Sequence, residues 1–184
     1  PESRDAVLGE VSRFLRDEHG VEVAGALGFE NAYALAMRRQ QAEETGIRRI
    51  GDLTAYARRL VIGGDYEFFG RPEWIAIRDT YALAFESQRT MDASLMYQAV
   101  AGGQVDVISA FSTDGRIAAF DLVVLEDERG AIPPYDALIL AGPRLVRERP
   151  DVLAALRQIT GTIDADRMRR MNLAVDQDGA SPTA

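Results

Sequence analysis

Residues 92–111 read DASLMYQAVAGGQVDVISAF, and this run sets the fold class. Asp92 is a residue type that accepts the unpaired N–H groups at a helix start, and Leu95, Met96, Ala99 and Val100 then recur on one helical face. Gly102-Gly103 stops the helix. Val105 to Phe111 follows as an apolar strand, so the chain passes from helix to strand with only a glycine turn between them.

The same alternation extends in both directions. Upstream, Val7, Leu8, Val11, Phe14 and Leu15 form an amphipathic helix preceded by Ser3 and Asp5 and closed by Gly20. Val21 to Ala26 and Ala32 to Met37 read as strands, broken at Gly28-Phe29-Glu30-Asn31. Asp52 is expected to cap a short helix through Arg59, Leu60 to Gly64 reads as a strand, Pro72 opens a helix to about Leu83, and Phe85 to Arg89 reads as a strand. Downstream, Ala118 to Leu125 and Ala137 to Leu140 are extended, and Asp151 and Asp164 each cap a helix. Strands alternating with helices of about ten residues predict an α/β fold with a mostly parallel sheet flanked by helices, because parallel strands need crossover connections. In such sheets ligands bind beyond the carboxyl ends of the strands. That directs attention to Gly28–Asn31, Gly63–Arg71, Phe111–Arg116 and the approach to Tyr135.

Composition removes several classes of function. A net charge of -8 repels phosphate backbones and predicts no nucleic-acid partner. All 21 basic residues are arginine, which leaves no lysine for Schiff-base or P-loop chemistry, and there is no cysteine for a thiolate, disulfide or thiolate–zinc site. The single histidine, His19, falls at the end of the first helix, where a cation meets the negative end of the dipole. Glu126-Asp127-Glu128 reads as a solvated turn. With no nucleophile elbow, His-Glu-x-x-His helix or phosphate loop, no catalytic residue, metal or cofactor is expected. No apolar run approaches the ~20 residues of a membrane span, and no signal segment is present in this chain, which opens at Pro1.

What remains is a set of aromatic residues in the ligand loops: Tyr33, Phe111 and Tyr135, with Arg71 in Gly70-Arg71-Pro72. Taken singly, each aromatic could simply pack in a core, and Arg71 could be a solvated residue at a helix start. Together they make one chemistry. Aromatic faces attract a quaternary ammonium through their quadrupoles, and a guanidinium holds a carboxylate in bidentate fashion. A betaine carries both groups.

An ordered series of segments resembles the substrate-binding proteins of the glycine betaine, choline and carnitine ABC importers. It runs through Leu27-Gly28-Phe29-Glu30-Asn31-Ala32-Tyr33, Gly51-Asp52-Leu53, Met91-Asp92 to Ala99, Gly103 to Ile108, Ser112-Thr113-Asp114-Gly115-Arg116-Ile117, Asp121 to Asp127 and Pro133-Pro134-Tyr135. The resemblance implies a type II periplasmic-binding-protein fold and no enzymatic activity. It implies that residues 27–141 form a complete second lobe, with 1–26 and 142–184 as flanking parts of a first lobe whose N-terminal portion has no counterpart here. It further implies that Asn31 and Tyr33 line the cleft, that Arg71 meets a ligand carboxylate, and that Phe111 and Tyr135 are walls of an aromatic cage between two lobes. Phe111 stands where the family usually has Tyr, and Glu30 where it often has Asn. The implied partners are a small quaternary ammonium ligand and an ABC permease, at an extracytoplasmic location, and exposed core from the partial lobe would favour a dimer or swapped assembly. A ligand-sensing regulatory module on the same fold is the alternative.

Overall fold

Ser3 starts the first helix: its hydroxyl accepts the Ala6 N–H at 3.2 Å, and α1 runs Arg4–His19. Gly20 ends it at φ 62, in the left-handed region that glycine enters without a Cβ penalty. His19 lies exposed in the last turn, as expected, with its ring edge-on to Phe14 at 5.5 Å. Strand β1 (Glu22–Glu30) pairs antiparallel with β7 (Asp136–Ala141), and helices α6 (Pro143–Glu148) and α7 (Pro150–Arg157) follow. Gly161 and Ile163 then donate their N–H groups to Ala26 and Leu27 on β1. This close run beside the strand depends on Gly28, at φ 114, where an added Cβ would lie 2.9 Å from the Ile163 carbonyl oxygen.

The computed structural model describes residues 3–177 and 179–182. Its contacts divide the chain into two units: Pro1–Asn31 with Pro134–Met168, and Ala32–Pro133 with Arg169–Ala184. The second unit is narrower than the 27–141 segment at both ends. Residues 27–30 and 136–141 go with the first unit because they pair with each other as β1 and β7. Helix α8 (Ala165–Asp176) begins in the first unit and ends in the second, with Asp164 accepting the Arg167 N–H at 2.7 Å as its cap.

The second unit holds a five-stranded sheet of order β4-β3-β5-β2-β6. Its elements are β2 (Tyr33–Arg38), α2 (Arg39–Thr45), β3 (Val61–Gly64), α3 (Pro72–Tyr81), β4 (Ser87–Thr90), α4 (Ala93–Ala101), β5 (Val107–Phe111), α5 (Arg116–Ala119) and β6 (Leu122–Val124). The α/β class stands. Strand β3 runs parallel to β4 and β5, while β2 runs antiparallel to β5 and β6, so four strands share a direction and β2 alone opposes them. Helices α3 and α4 provide the crossovers that parallel pairing demands, whereas β2 enters between β5 and β6 and makes the sheet mixed. Side chains alternate across it: Leu35 and Met37 of β2 join Ile62 and Val107 in one core cluster, and Ala36 joins Ile108, Ala110 and Val100 in the other.

Other expectations change: β1 runs on through Gly28 to Glu30, where a break was expected. The stretch expected as one strand, 118–125, instead ends helix α5 before the short β6. Asp52 caps no α-helix: its carboxylate turns back to accept the Arg48 and Arg49 N–H groups at 3.0 and 2.9 Å, and two 3-10 turns, Ile50–Ala55 and Ala57–Arg59, replace the expected helix. Asp127 is not a solvated turn residue. It accepts the Tyr81 hydroxyl at 2.5 Å and the N–H groups of Ala131 and Ile132 at 3.0 and 2.8 Å, folding the loop after β6 onto the core.

Candidate functional site

The carboxyl ends of β3 and β5 and the amino end of β2 come together at one end of the sheet's strands, and aromatic residues gather there. Register pairs Tyr33 of β2 with Phe111 of β5, which puts both side chains on the same face as cross-strand neighbours. Their ring centroids are 4.8 Å apart and tilted by 35°. At that spacing no cation fits between them, since a cation–π contact needs several ångströms on each side. The two rings therefore form one continuous wall, and Phe111 is 43% exposed on it.

Behind the wall lies a second aromatic layer. Phe68 approaches Tyr33 at 5.5 Å and Trp74 at 5.4 Å, and Phe69 meets Trp74 edge-on at 5.5 Å. Sequence reasoning missed these residues as part of the site. The available signal was the aromatic density of the loop after β3, where Tyr66, Phe68 and Phe69 follow Gly64.

Arg71 sits at the start of α3, with Pro72 taking the first helical position. Its guanidinium carbon lies 5.2 Å from the Tyr33 ring centroid. The same guanidinium contacts Glu73 at 3.3 Å and Glu67 at 3.6 Å. Glu73 is only 6% exposed, so an arginine beside it offsets the cost of burying its charge. The hydrogen bond that Arg71 donates to Glu73 raises the Arg71 pKa further, and burial raises that of the Tyr33 hydroxyl against a partial opposing pull from Arg71. Tyr33 is thus a neutral phenol and Arg71 a fixed cation. A ligand carboxylate reaching Arg71 would share it with Glu73.

The remaining two predicted residues lie in the first unit. Asn31 donates its N–H to the Tyr135 carbonyl at 3.3 Å, and Glu30 accepts the Tyr135 N–H at 3.3 Å and the Arg4 guanidinium at 2.8 Å. Glu30 therefore holds the backbone of Tyr135, whose side chain is 42% exposed. The structure brings Tyr33, Arg71 and Phe111 together in one unit and Asn31 and Tyr135 together in the other. A separate cleft of about 320 Å³ opens at the far end of β2, lined by Arg39, Ala42, Glu43, Ile47, Arg48 and Val123, and contains none of them. Among the described residues no group of acidic and imidazole side chains could hold a metal ion, and no helix is long and apolar enough to cross a membrane.

A family described as "Substrate binding domain of ABC-type glycine betaine transport system" matches residues 1–184. The ergothioneine transport permease/ergothioneine binding protein of Helicobacter pylori is 29% identical over 159 residues, which cover 86% of this chain and 29% of that protein. A glycine-betaine-binding protein of Pseudomonas aeruginosa is 31% identical over 166 residues, covering 84% of this chain and 53% of that one. A crystal structure of a glycine betaine/carnitine/choline ABC transporter superposes with a TM-score of 0.93 at 28% identity, over 98% of this chain and 66% of that chain. The chain thus spans about half the length, or less, of these curated relatives. The fold is that of type II periplasmic binding proteins, and the relatives are transport binding proteins rather than enzymes. By the match along its whole length, this chain belongs to the family of substrate-binding domains of ABC-type glycine betaine transport systems.

Proposed function

We propose that this domain captures a quaternary ammonium solute at an extracytoplasmic site and delivers it to an ABC permease. The observation that carries the reading is the Tyr33–Phe111 wall at the strand ends, paired in register and partly open to solvent. A trimethylammonium group has no N–H to donate, so it is held by aromatic faces, carboxylates or carbonyl dipoles, and this wall presents the first of these. Arg71 supplies a cation beside that wall for a ligand carboxylate, in competition with Glu73. Asn31 and Tyr135 are carried as further binding residues, and the relatives' names direct the choice among glycine betaine, carnitine, choline and ergothioneine.

The test is calorimetric titration and thermal shift of the protein carrying this domain against those four solutes, with Tyr33→Leu, Phe111→Leu and Tyr135→Ala beside the wild type. A ligand that binds only the native state raises the melting temperature. A shift with one of the four, with affinity about tenfold weaker in the Phe111 variant, supports the reading. No binding of any of them overturns it.

A further inference from the structure

We infer that helix α8 sets the position of the Phe111 loop, with Arg169 and Asn172 as positioning residues for the aromatic wall. The inference rests on reading that wall as the binding surface. Immediately after Phe111, the carbonyl of Ser112 accepts Arg169 Nε at 2.7 Å, and the carbonyl of Thr113 accepts Asn172 Nδ2 at 2.8 Å. Two residues further on, Gly115 meets the α8 backbone so closely that a Cβ there would lie 2.5 Å from Leu173 N. Residues 169, 172 and 173 are three and four apart, so they share one helical face. That face follows the loop residue by residue.

These contacts reach the wall by a short path. Ser112 exchanges two hydrogen bonds with Ala32, the neighbour of Tyr33: its N–H donates to the Ala32 carbonyl at 2.9 Å, and its hydroxyl accepts the Ala32 N–H at 3.1 Å. Asp114 anchors the loop's other end through Arg116 at 2.7 Å, and the Arg116 guanidinium lies 4.1 Å from the Tyr97 ring centroid. The ties to Ala32 join Ser112 to a strand end 80 residues away in sequence. Those from α8 come from 57 and 59 residues away in sequence. Thr113 is buried, and a backbone carbonyl in such a position is held by a specific donor, here the Asn172 amide. Removing the α8 donors therefore takes away two of the ties that fix the loop directly after Phe111, and Phe111 shifts with the loop.

Fluorine NMR on protein labelled with fluorophenylalanine tests this without a ligand, the Phe111 line being assigned by its loss in Phe111→Leu. In Arg169→Ala, Asn172→Ala and the double variant, the Phe111 line shifts and broadens while the Phe14 and Phe120 lines hold. In Arg169→Lys, which restores a donor, and in Arg170→Ala, an exposed position on the same helix, the Phe111 line stays near its wild-type position. Affinity for whichever of glycine betaine, choline, carnitine or ergothioneine binds the wild type falls about tenfold in the double variant. An unmoved Phe111 line in a folded double variant overturns the inference. Should the double variant fail to fold, the Asn172→Ala and Arg169→Lys lines decide instead. Wild-type protein that binds none of the four solutes overturns the functional reading alone, and the ligand-free line still decides the role of α8.

Discussion

Phe68→Ala probes the support of the aromatic wall. The Phe68 side chain is fully buried, with ring centroids 5.5 Å from Tyr33, 5.4 Å from Phe69 and 5.4 Å from Trp74. Losing its transfer free energy costs about 1.5–3 kcal/mol. The cavity left behind adds about 24 cal/mol per Å³ that the neighbours fail to fill, which places the whole change at about 3–5 kcal/mol. For a chain of this size that corresponds to a fall in Tm of about 6–20 °C. Trp74 is the only tryptophan, and it packs against Phe68, Phe69 and Phe85, so its emission in a urea titration reports this cluster directly. Phe68→Leu, which keeps most of the volume, should cost about 1.5 kcal/mol or less. A loss below about 1 kcal/mol in Phe68→Ala would refute the packing argument, and with it the claim that Phe68 holds Tyr33 in place.

Four other outcomes are expected. Phe111→Leu keeps apolar bulk but removes the π face, so solute affinity falls by about 0.5–2 kcal/mol while Tm changes little, read by calorimetry and thermal melting of the same samples. Asp114 is opposed by burial, yet hydrogen bonds from Arg116 and Tyr97 hold its carboxyl below the usual carboxylate range. A folded pKa below the unfolded value near ~3.9 gives stability that is present above that value and lost as pH falls through the folded one. Asp114→Asn should therefore lower Tm at neutral pH and flatten its decline below about pH 4; an unchanged acid limb would contradict the assignment. Gly28→Ala should cost about 1–3 kcal/mol, because φ 114 and the Ile163 carbonyl both exclude a Cβ. Gly9→Ala, in α1 with open space around it, should stabilise by up to about 1 kcal/mol, and denaturant midpoints of the two variants compare them.

Much of the fold is legible locally. Asp92 and Gly102 bracket α4, Ser3 and Gly20 bracket α1, and Asp164 starts α8, because capping and left-handed stops depend on a few adjacent residues. Helix α2 carries no side-chain cap and only a weak apolar pattern, and it was not foreseen. Asp127 looked like a surface charge because its partner Tyr81, 46 residues away, is brought to it only by folding.

The sequence by itself determined the α/β class and the family, and it directed attention to the residues we propose for a cationic methylated solute: Tyr33, Arg71, Phe111, Asn31 and Tyr135. Only the tertiary structure decided how they are arranged. It reversed β2 within an otherwise parallel sheet, setting Tyr33 against Phe111. It backed that pair with Phe68 and Trp74, paired Arg71 with Glu73, and brought α8 to the Phe111 loop from 57 residues away. The division has a physical cause. Periodicity and capping are set by neighbours a few residues apart, whereas register, burial and charge pairing join residues far apart in the chain and are fixed by the free energy of the packed whole.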